Sequence, residues 1–350
     1  MITRPTKQPA PETAVVSHPA TPKRSRQGSR HGLALAIGIA LLAVSSANAQ
    51  TAGTWNLNGN GNWNTAGNWT GGIPNGIDDI ANITNQITTT RTITLDVPVT
   101  LGTMNIGDLS GGSSFTVTGN TLTFEASGGG NATLNMINDG GNVTISSTLQ
   151  LNSALDIFLN DPTNNQGIIL SGIINGGMGV GNTSMTINDL SGDYRLNWVL
   201  LNQANTFTGQ VLVQSGLLRY EGNNAVAGAR GVGNETIVEN EGGVDLRDRD
   251  FNVQADDTEI FRISGMGPNG VGALRNTSGT GSVSHLILDA DSSVGGYSNG
   301  GFYRHLDTAG TAEIASIVDL GGFTLNKLGT GEWRFHNADI QGRTGATINV

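Results

Sequence analysis

The chain has 350 residues, a formal net charge of -10, no cysteine and 52 glycines. The absence of cysteine excludes disulfides and thiolate metal sites, and the acidic balance argues against nucleic-acid binding, which needs a basic surface. With only 13% charged and 5% aromatic residues, and with many Gly, Asn and Thr, the composition indicates short strands joined by many tight turns.

Residues 1–49 predict a signal peptide with a long basic n-region. A basic segment at residues 23–30 precedes an apolar run at 33–44, and Ala47-Asn48-Ala49 then forms a small-residue cleavage site. An uncleaved anchor is the alternative, but the run is shorter than the roughly 20 residues that cross a bilayer. The mature chain would begin at Gln50, carry 12 basic and 27 acidic residues, and contain no integral membrane span.

Residues 50–83 are predicted to form an N-terminal cap and a first coil. Trp55, Trp63 and Trp69 fall close together here, with Asn-Gly pairs suited to hairpin turns between them. Three large rings could cover the end of a fold and remove apolar surface from water. The alternative is a row of exposed rings that contact a glycan. The cap is the preferred interpretation, because a binding platform needs exposed, coplanar rings.

Residues 84–350 alternate apolar and polar positions with a period of two, which is typical of strands with one buried face. Gly-, Asn- and Ser-rich clusters separate these runs and indicate turns. The predicted inward positions are Ile93, Leu95, Val97, Phe115, Val117, Leu122, Phe124, Val143, Ile145, Leu149 and Leu151.

Two all-β architectures fit this pattern: a stacked antiparallel sandwich, or a solenoid whose coils add rungs to parallel sheets. Internal repetition favours the solenoid. Three segments, 204–228, 234–248 and 318–335, share a rhythm of strand, Gly-containing turn and strand. A single aliphatic lining, without a second packed layer, is therefore expected.

The segments ANTFTGQVLVQSGLLRY and GGFTLNKLGTGEWRF resemble the two halves of the autotransporter-associated β-strand repeat of secreted bacterial passenger proteins. The opening tryptophan segment is similar to the start of many such repeat proteins. The resemblance implies a right-handed parallel β-helix exported to or through the outer membrane. The chain stops at ATINV, where a family repeat would continue, so a fragment or a short member is expected.

One charged stretch, VDLRDRDF, is the best candidate for carboxylate chemistry of the kind used by β-helix polysaccharide lyases and hydrolases. It holds the weak catalytic candidates Asp245, Asp248 and Asp250. On a strand, Asp248 and Asp250 would share one face, and Arg247 and Arg249 the other. Surface salt bridges are the preferred interpretation.

Asp289 and Asp291 are weak candidates for a cation site, because oxygen ligands two residues apart on a strand point the same way. The further ligands that calcium requires are missing from the sequence, so no cofactor is predicted and calcium remains unsupported. The mature histidines, His285, His305 and His336, lack zinc-site spacing and are expected at the surface.

The sequence thus predicts a secreted or cell-surface β-solenoid, non-enzymatic, which serves as a structural stalk or adhesin-like protein. Its expected partners are extracellular polysaccharide or other cell surfaces. Two alternatives stay open: a β-helix polysaccharide lyase or hydrolase, and a carbohydrate-binding module centred on the tryptophan segment.

Overall fold

Short β-strands and turns make up most of the structure, a computed structural model that describes residues 49–137, 141–161, 165–191, 196–221, 225–251, 259–303, 305–306 and 313–350. These residues belong to one compact unit, residues 48–350. The predicted signal peptide lies outside the described residues except for Ala49. Within the described ranges, helical structure is limited to single 3₁₀ turns at Ala66–Asn68, Ser127–Gly129 and Pro268–Gly270.

The strands follow one another closely along the chain. The first fifteen are β1 (Ala52–Trp55), β2 (Gly61–Asn62), β3 (Trp69–Thr70), β4 (Ile80–Ile83), β5 (Arg91–Leu95), β6 (Val99–Leu101), β7 (Thr103–Ile106), β8 (Phe115–Gly119), β9 (Leu122–Phe124), β10 (Ala132–Ile137), β11 (Val143–Ile145), β12 (Leu149–Leu151), β13 (Leu155–Asn160), β14 (Gly167–Leu170) and β15 (Ile174–Gly176). The remainder are β16 (Thr183–Asp189), β17 (Trp198–Leu201), β18 (Gln210–Tyr220), β19 (Thr236–Asp245), β20 (Ile260–Gly265), β21 (Leu274–Asn276), β22 (Thr280–Val283), β23 (His285–Gly296), β24 (Asn299–Tyr303), β25 (His305–Leu306), β26 (Glu313–Ile314), β27 (Ser316–Asp319), β28 (Thr324–Lys327), β29 (Trp333–His336), β30 (Ala338–Gln341) and β31 (Thr347–Asn349).

Parallel pairing organises these strands into long columns. The first column runs β1-β4-β7-β10-β13-β16-β18-β19-β20-β23-β27-β30, and every neighbouring pair in it is parallel. The second runs β2-β5-β8-β11-β14-β17-β18-β19-β21-β23-β28-β31, also parallel throughout. The long strands β18, β19 and β23 contribute to both columns.

A third, shorter set of strands completes the pairing. Here β6-β9-β12-β15 and β22-β24-β29 form two separate parallel sheets. Among the described strands, antiparallel pairing is confined to β1 with β3 and β25 with β26. The fold is therefore all-β with parallel sheets, and the antiparallel sandwich that the sequence left open is wrong.

The core follows the predicted alternation, because successive side chains of a strand point to opposite faces. Of the eleven predicted inward positions, ten are at most 1% exposed, and they belong to one large hydrophobic cluster. Val97 is the exception: it lies after the end of β5 and packs against this cluster while remaining partly exposed.

Close approach between successive turns explains some of the glycines. Gly296, at the end of β23, has a φ of +107°, and a Cβ at this position would collide with the carbonyl oxygen of Asn276 on β21. Gly119 has a φ of +109° and would collide in the same way with the carbonyl oxygen of Leu95. Glycine is required where a left-handed corner contacts the backbone of the preceding strand.

Identical side chains also align on neighbouring strands. Asn82, Asn105 and Asn135 occupy paired positions of β4, β7 and β10. The amide of Asn105 donates to Asn82 over 2.7 Å, and that of Asn135 donates to Asn105 over 2.6 Å. Such a ladder forms only when the parallel register is kept from strand to strand. The asparagines therefore indicate the same register of β4, β7 and β10 as the buried residues do.

A second, smaller hydrophobic cluster lies apart from the main core. It is built from Trp198, Leu200 and Leu217, which are at most 7% exposed, with Ile169 and Leu196 packed against it. All four residues of β17 are consequently buried, on both faces of the strand. The expectation of one aliphatic lining without a second layer is wrong here, because Ile169 and Leu196 pack with this cluster on the other face of the strands.

Candidate functional site

The three N-terminal tryptophans form one buried cluster. Trp55 and Trp63 are completely buried and Trp69 is 6% exposed. The ring of Trp69 contacts both others edge-on, at centroid distances of 5.1 Å to Trp55 and 4.7 Å to Trp63. Each indole N–H donates to a backbone carbonyl, those of Leu57, Pro74 and Trp63 respectively for Trp55, Trp63 and Trp69.

This arrangement leaves no ring face for a ligand. Stacking on a sugar requires an exposed aromatic face, and these rings face one another and the core. The backbone supports the cluster, since Trp55 pairs directly with Trp69 in the antiparallel contact of β1 with β3. The three rings therefore lack the exposed faces that the glycan-contact alternative requires.

The candidate carboxylates of VDLRDRDF lie at the end of a strand rather than along one. β19 ends at Asp245, and Arg247 and Asp248 both adopt the left-handed conformation, with φ of 45° and 66°. The predicted alternation, with Asp248 and Asp250 on one face and the arginines on the other, is wrong because a turn replaces the strand. Arg249 is completely buried, where Nε donates to the carbonyl of Ala225.

Asp248 and Asp250 remain close enough to influence each other but do not form a site. Burial raises the pKa of Asp250, a hydrogen bond from Ser282 and the charge of Arg249 lower it, and the charge of Asp248 raises it. Ser282 Oγ donates to Asp250 over 2.8 Å. Asp248 is exposed, and its backbone N–H donates to the side chain of Asn276.

The candidate cation ligands each bind a protein group. Asp289 accepts two hydrogen bonds from Arg262, over 3.0 and 2.5 Å, and Asp291 accepts one from the backbone N–H of Thr324 over 2.8 Å. Within the described ranges, no group of three or more His, Cys, Asp or Glu side chains is placed to hold a metal ion. His336 stacks on Tyr303, His285 is partly buried, and the side chain of His305 lies outside the described residues.

Asp245 belongs to a different arrangement that sequence analysis did not foresee. Arg219, Asp245 and Arg275 occupy directly paired positions on β18, β19 and β21. Asp245 is completely buried, and its carboxylate lies 3.7 Å from Nε of Arg219 and 3.3 Å from Nη2 of Arg275. It also accepts hydrogen bonds from the backbone N–H and the hydroxyl of Thr277, over 3.1 and 2.7 Å.

A pocket of about 480 Å³ lies in front of this ladder, and we call it the arginine pocket. Its polar and aromatic lining includes Arg219, Arg275, Thr277, Tyr297 and Thr330. The rest of the lining is formed by Asn165, Leu196, Val271, Gly270, Gly296 and Gly329. Asp245 lies behind the two arginines and does not line the pocket. A volume of this size falls in the range of roughly 300–1,000 Å³ that is usual for small-molecule sites.

The turn at Pro268–Gly270 and Trp198 lie on two sides of the arginine pocket. The turn at Pro268–Gly270 contacts β18 and β19, and a Cβ at Gly243 would meet the Pro268 ring. Glycine at 243 therefore allows the turn to lie directly on the strand. On the other side, Trp198 packs beside Arg219, whose guanidinium carbon is 5.0 Å from the indole centroid. The turn and Trp198 thus lie beside the strands that carry the arginines.

The electrostatics of the arginine pocket favour an anion. Burial lowers the pKa of Arg219 to about 10; Asp245 opposes this effect, and the positive charges of Arg275 and Arg247 add to it. Two buried guanidiniums share one buried carboxylate, so a positive charge is left over. Nε of Arg219 and Nε of Arg275 have no hydrogen-bond partner among the described residues.

A signal for this site does exist in the sequence. When the repeats SGLLRY and EGGVDLR are aligned on their glycines, Arg219 falls beside Asp245, and this is the register of β18 with β19. Arg275 could not be placed in that way, because the segment leading to β21 does not share the repeat motif.

Comparisons of the chain with protein-family models, with curated proteins and with solved structures find no match. The interpretation of the site therefore rests on its geometry. Among the described residues, no helix is long and apolar enough to cross a bilayer.

Proposed function

We propose that this chain is an exported, non-enzymatic β-solenoid protein that serves as a structural stalk or adhesin-like surface outside the cell. The observation that carries the proposal is the pair of strand columns, each of which continues in parallel register from the first strands to the last. Parallel strands joined this way satisfy the backbone donors and acceptors of each rung through the rungs on either side. Such a structure needs neither disulfides nor metal ions.

The proposed architecture is the right-handed parallel β-helix that the resemblance to autotransporter-associated repeats implies. Three short strands per turn, as in β4-β5-β6 or β7-β8-β9, support this proposal. The inward rows of aliphatic residues would then be the lining of the helix, stacked from rung to rung.

The tryptophan cluster would serve as the N-terminal cap of this solenoid. An uncovered terminal rung presents apolar surface and edge groups to other molecules. Burial of Trp55, Trp63 and Trp69 against the first rungs, with every indole N–H hydrogen-bonded, supports this role.

A binding role is better supported than polysaccharide cleavage. Two of the three carboxylates considered for catalysis bind other residues: Asp245 is completely buried against Arg219, Arg275 and Thr277, and Asp250 accepts a hydrogen bond from Ser282. A general acid or base must reach the proton that it transfers. The expected partners remain extracellular polysaccharide or other cell surfaces.

Export is tested by expressing the full chain in a bacterial host, fractionating the cells and sequencing the N-terminus of the product. We expect the chain outside the cytoplasm, with Gln50 as its first residue. A variant that lacks residues 2–49 is the control and should stay in the cytoplasm. A full-length product that keeps Met1 and remains in the cytoplasm would contradict the proposal.

The non-enzymatic role is tested on the purified mature chain with a panel of neutral and acidic polysaccharides. We expect sedimentation with at least one insoluble polysaccharide and no release of new chain ends beyond a protein-free sample. Steady accumulation of new reducing ends or of unsaturated products would instead identify a hydrolase or a lyase.

A further inference from the structure

We infer that the arginine pocket binds the carboxylate of an acidic sugar, such as a uronate unit of a polysaccharide. This inference goes beyond the proposed function, because it concerns one site of the folded chain and holds whether or not the chain is exported. It rests on three observations: the charge of the pocket, its unused hydrogen-bond donors and the side chains at its mouth.

The charge of the pocket selects a monoanion. Arg219 and Arg275 bring two positive charges and Asp245 brings one negative charge, all within one ladder of paired strands. The excess of a single positive charge lies in a protein whose net charge is -10, so it is a local feature and not part of a basic surface. A carboxylate matches this excess, whereas a phosphate dianion exceeds it.

The donors of the two arginines are largely unused. A guanidinium offers five N–H groups; Arg275 donates from Nη2 to Asp245, whereas neither terminal nitrogen of Arg219 donates to a described residue, and the two Nε atoms are inaccessible. The side chains are only 10% and 5% exposed for Arg219 and Arg275, so water has limited access to them. A carboxylate in the pocket would accept charge-assisted hydrogen bonds from the terminal nitrogens of these guanidiniums.

The mouth of the pocket is suited to a sugar ring. Tyr297 is 70% exposed and lines the pocket together with the two arginines. An exposed aromatic ring packs on the apolar face of a pyranose. The hydroxyls of Thr277 and Thr330 line the same pocket and can exchange hydrogen bonds with sugar hydroxyls. An acidic peptide could bind the arginines through a carboxylate, but it offers no pyranose face to pack on Tyr297.

The test is calorimetric titration of the purified full chain with trigalacturonate. Its methyl ester, inorganic phosphate and a short poly-glutamate peptide are titrated in parallel. We expect trigalacturonate to bind, and the neutral methyl ester to bind at least about tenfold more weakly, because the charge-assisted hydrogen bonds to arginine are lost. Phosphate and poly-glutamate should each bind more weakly than the saccharide.

Three variants assign the binding to this pocket. Arg219→Gln removes the less strongly paired guanidinium and should weaken trigalacturonate binding at least about tenfold. Tyr297→Ala should weaken trigalacturonate binding while leaving the much weaker phosphate binding unchanged. Arg334→Gln is the matched control, because this exposed arginine pairs with Glu332 away from the pocket, and the variant should bind as the parent does.

Circular dichroism of each variant shows whether it folds, and Tyr297→Ala carries the test if Arg219→Gln does not fold. Three outcomes would overturn the inference. One is equal binding of trigalacturonate and its methyl ester, or binding of neither. Another is an equal loss of affinity for trigalacturonate in Arg219→Gln and Arg334→Gln. The third is that poly-glutamate or phosphate binds as tightly as trigalacturonate, and that Tyr297→Ala does not change the affinity for trigalacturonate.

Discussion

The carboxylate of Asp245 lies 3.3 Å from Nη2 of Arg275, and the two residues occupy paired positions on neighbouring parallel strands. Both side chains are buried. In a sheet of this kind, a residue and its partner are brought together by register alone, although 30 positions of sequence separate them. Stability and binding thus depend on the same residues at this point of the fold.

Asp245→Asn should destabilise the protein strongly. The substitution keeps the shape of the side chain but leaves two buried guanidiniums without a counter-charge, a loss of about 3–5 kcal/mol in the free energy of unfolding. Asp289→Asn is the control, since its partner Arg262 is 37% exposed and exposed pairs contribute about 0–1 kcal/mol. Urea unfolding of both variants gives the measurement. Equal effects would mean that Asp245 is not the counter-ion of the arginines.

Trp63→Ala should lower the free energy of unfolding by about 3–5 kcal/mol, because it removes a fully buried ring from the N-terminal cluster and opens a cavity. Tyr297→Ala removes an exposed ring and should change it by less than about 0.5 kcal/mol. Thermal unfolding followed by circular dichroism distinguishes the two. A Trp63 variant with unchanged melting and altered glycan binding would show that the cluster is a binding surface.

Gly296→Ala should destabilise the corner that follows β23. Its φ of +107° is unfavourable for alanine, and the added methyl group would collide with the Asn276 carbonyl, so a loss above about 1 kcal/mol is expected. Gly67→Ala is the matched substitution at a glycine with no heavy atom near the new methyl group, and should change stability by less than about 0.5 kcal/mol. Unfolding in urea measures both, and similar values would argue against close packing at the corner.

The raised pKa of Asp250 should make the free energy of unfolding depend on pH. Burial raises its pKa above that of an unfolded chain, which is about 3.9. The folded chain then holds the proton more tightly, so the stabilisation is fully present below the unfolded pKa and is lost as the pH rises through the folded pKa. Asp250→Asn should lack this decline when unfolding is measured in steps from pH 3 upwards.

Asp78→Asn provides the control of opposite sign. Hydrogen bonds from Ser127 lower the pKa of Asp78. Its stabilisation is therefore present above the unfolded pKa and is lost as the pH falls through the folded pKa. The two variants should alter the acid limb of the stability profile in opposite directions. Identical profiles would contradict both assignments.

Period-two alternation was sufficient to predict the inward residues, because the direction of a side chain in a strand depends only on its position. Ile93, Phe115 and Val143 could be assigned in this way from their own segments. Parallel pairing was predicted from the repeated rhythm of the later segments, and it is confirmed. The finer architecture stays a proposal.

The arginine pocket could not be predicted from local patterns. It requires the register that aligns Arg219, Asp245 and Arg275, and a turn at Pro268 that covers the outer face of the strands. Alignment of the repeats gives the register of Arg219 with Asp245, but the position of Arg275 and of the turn depends on contacts between segments far apart in sequence. The turn at Arg247 and Asp248 was likewise missed, since alternating charges suggested a strand and nothing local indicated left-handed backbone.

The number of residues between paired positions varies from one pair of strands to the next. Ser316 pairs with Ala338, 22 positions further on, whereas His285 pairs with Ile317, 32 positions further on. The register of the paired strands is thus kept although the number of intervening residues differs by ten. A connection can therefore gain residues and form a surface feature, as the turn at Pro268–Gly270 does beside β18 and β19, while the strands beneath it keep their pairing.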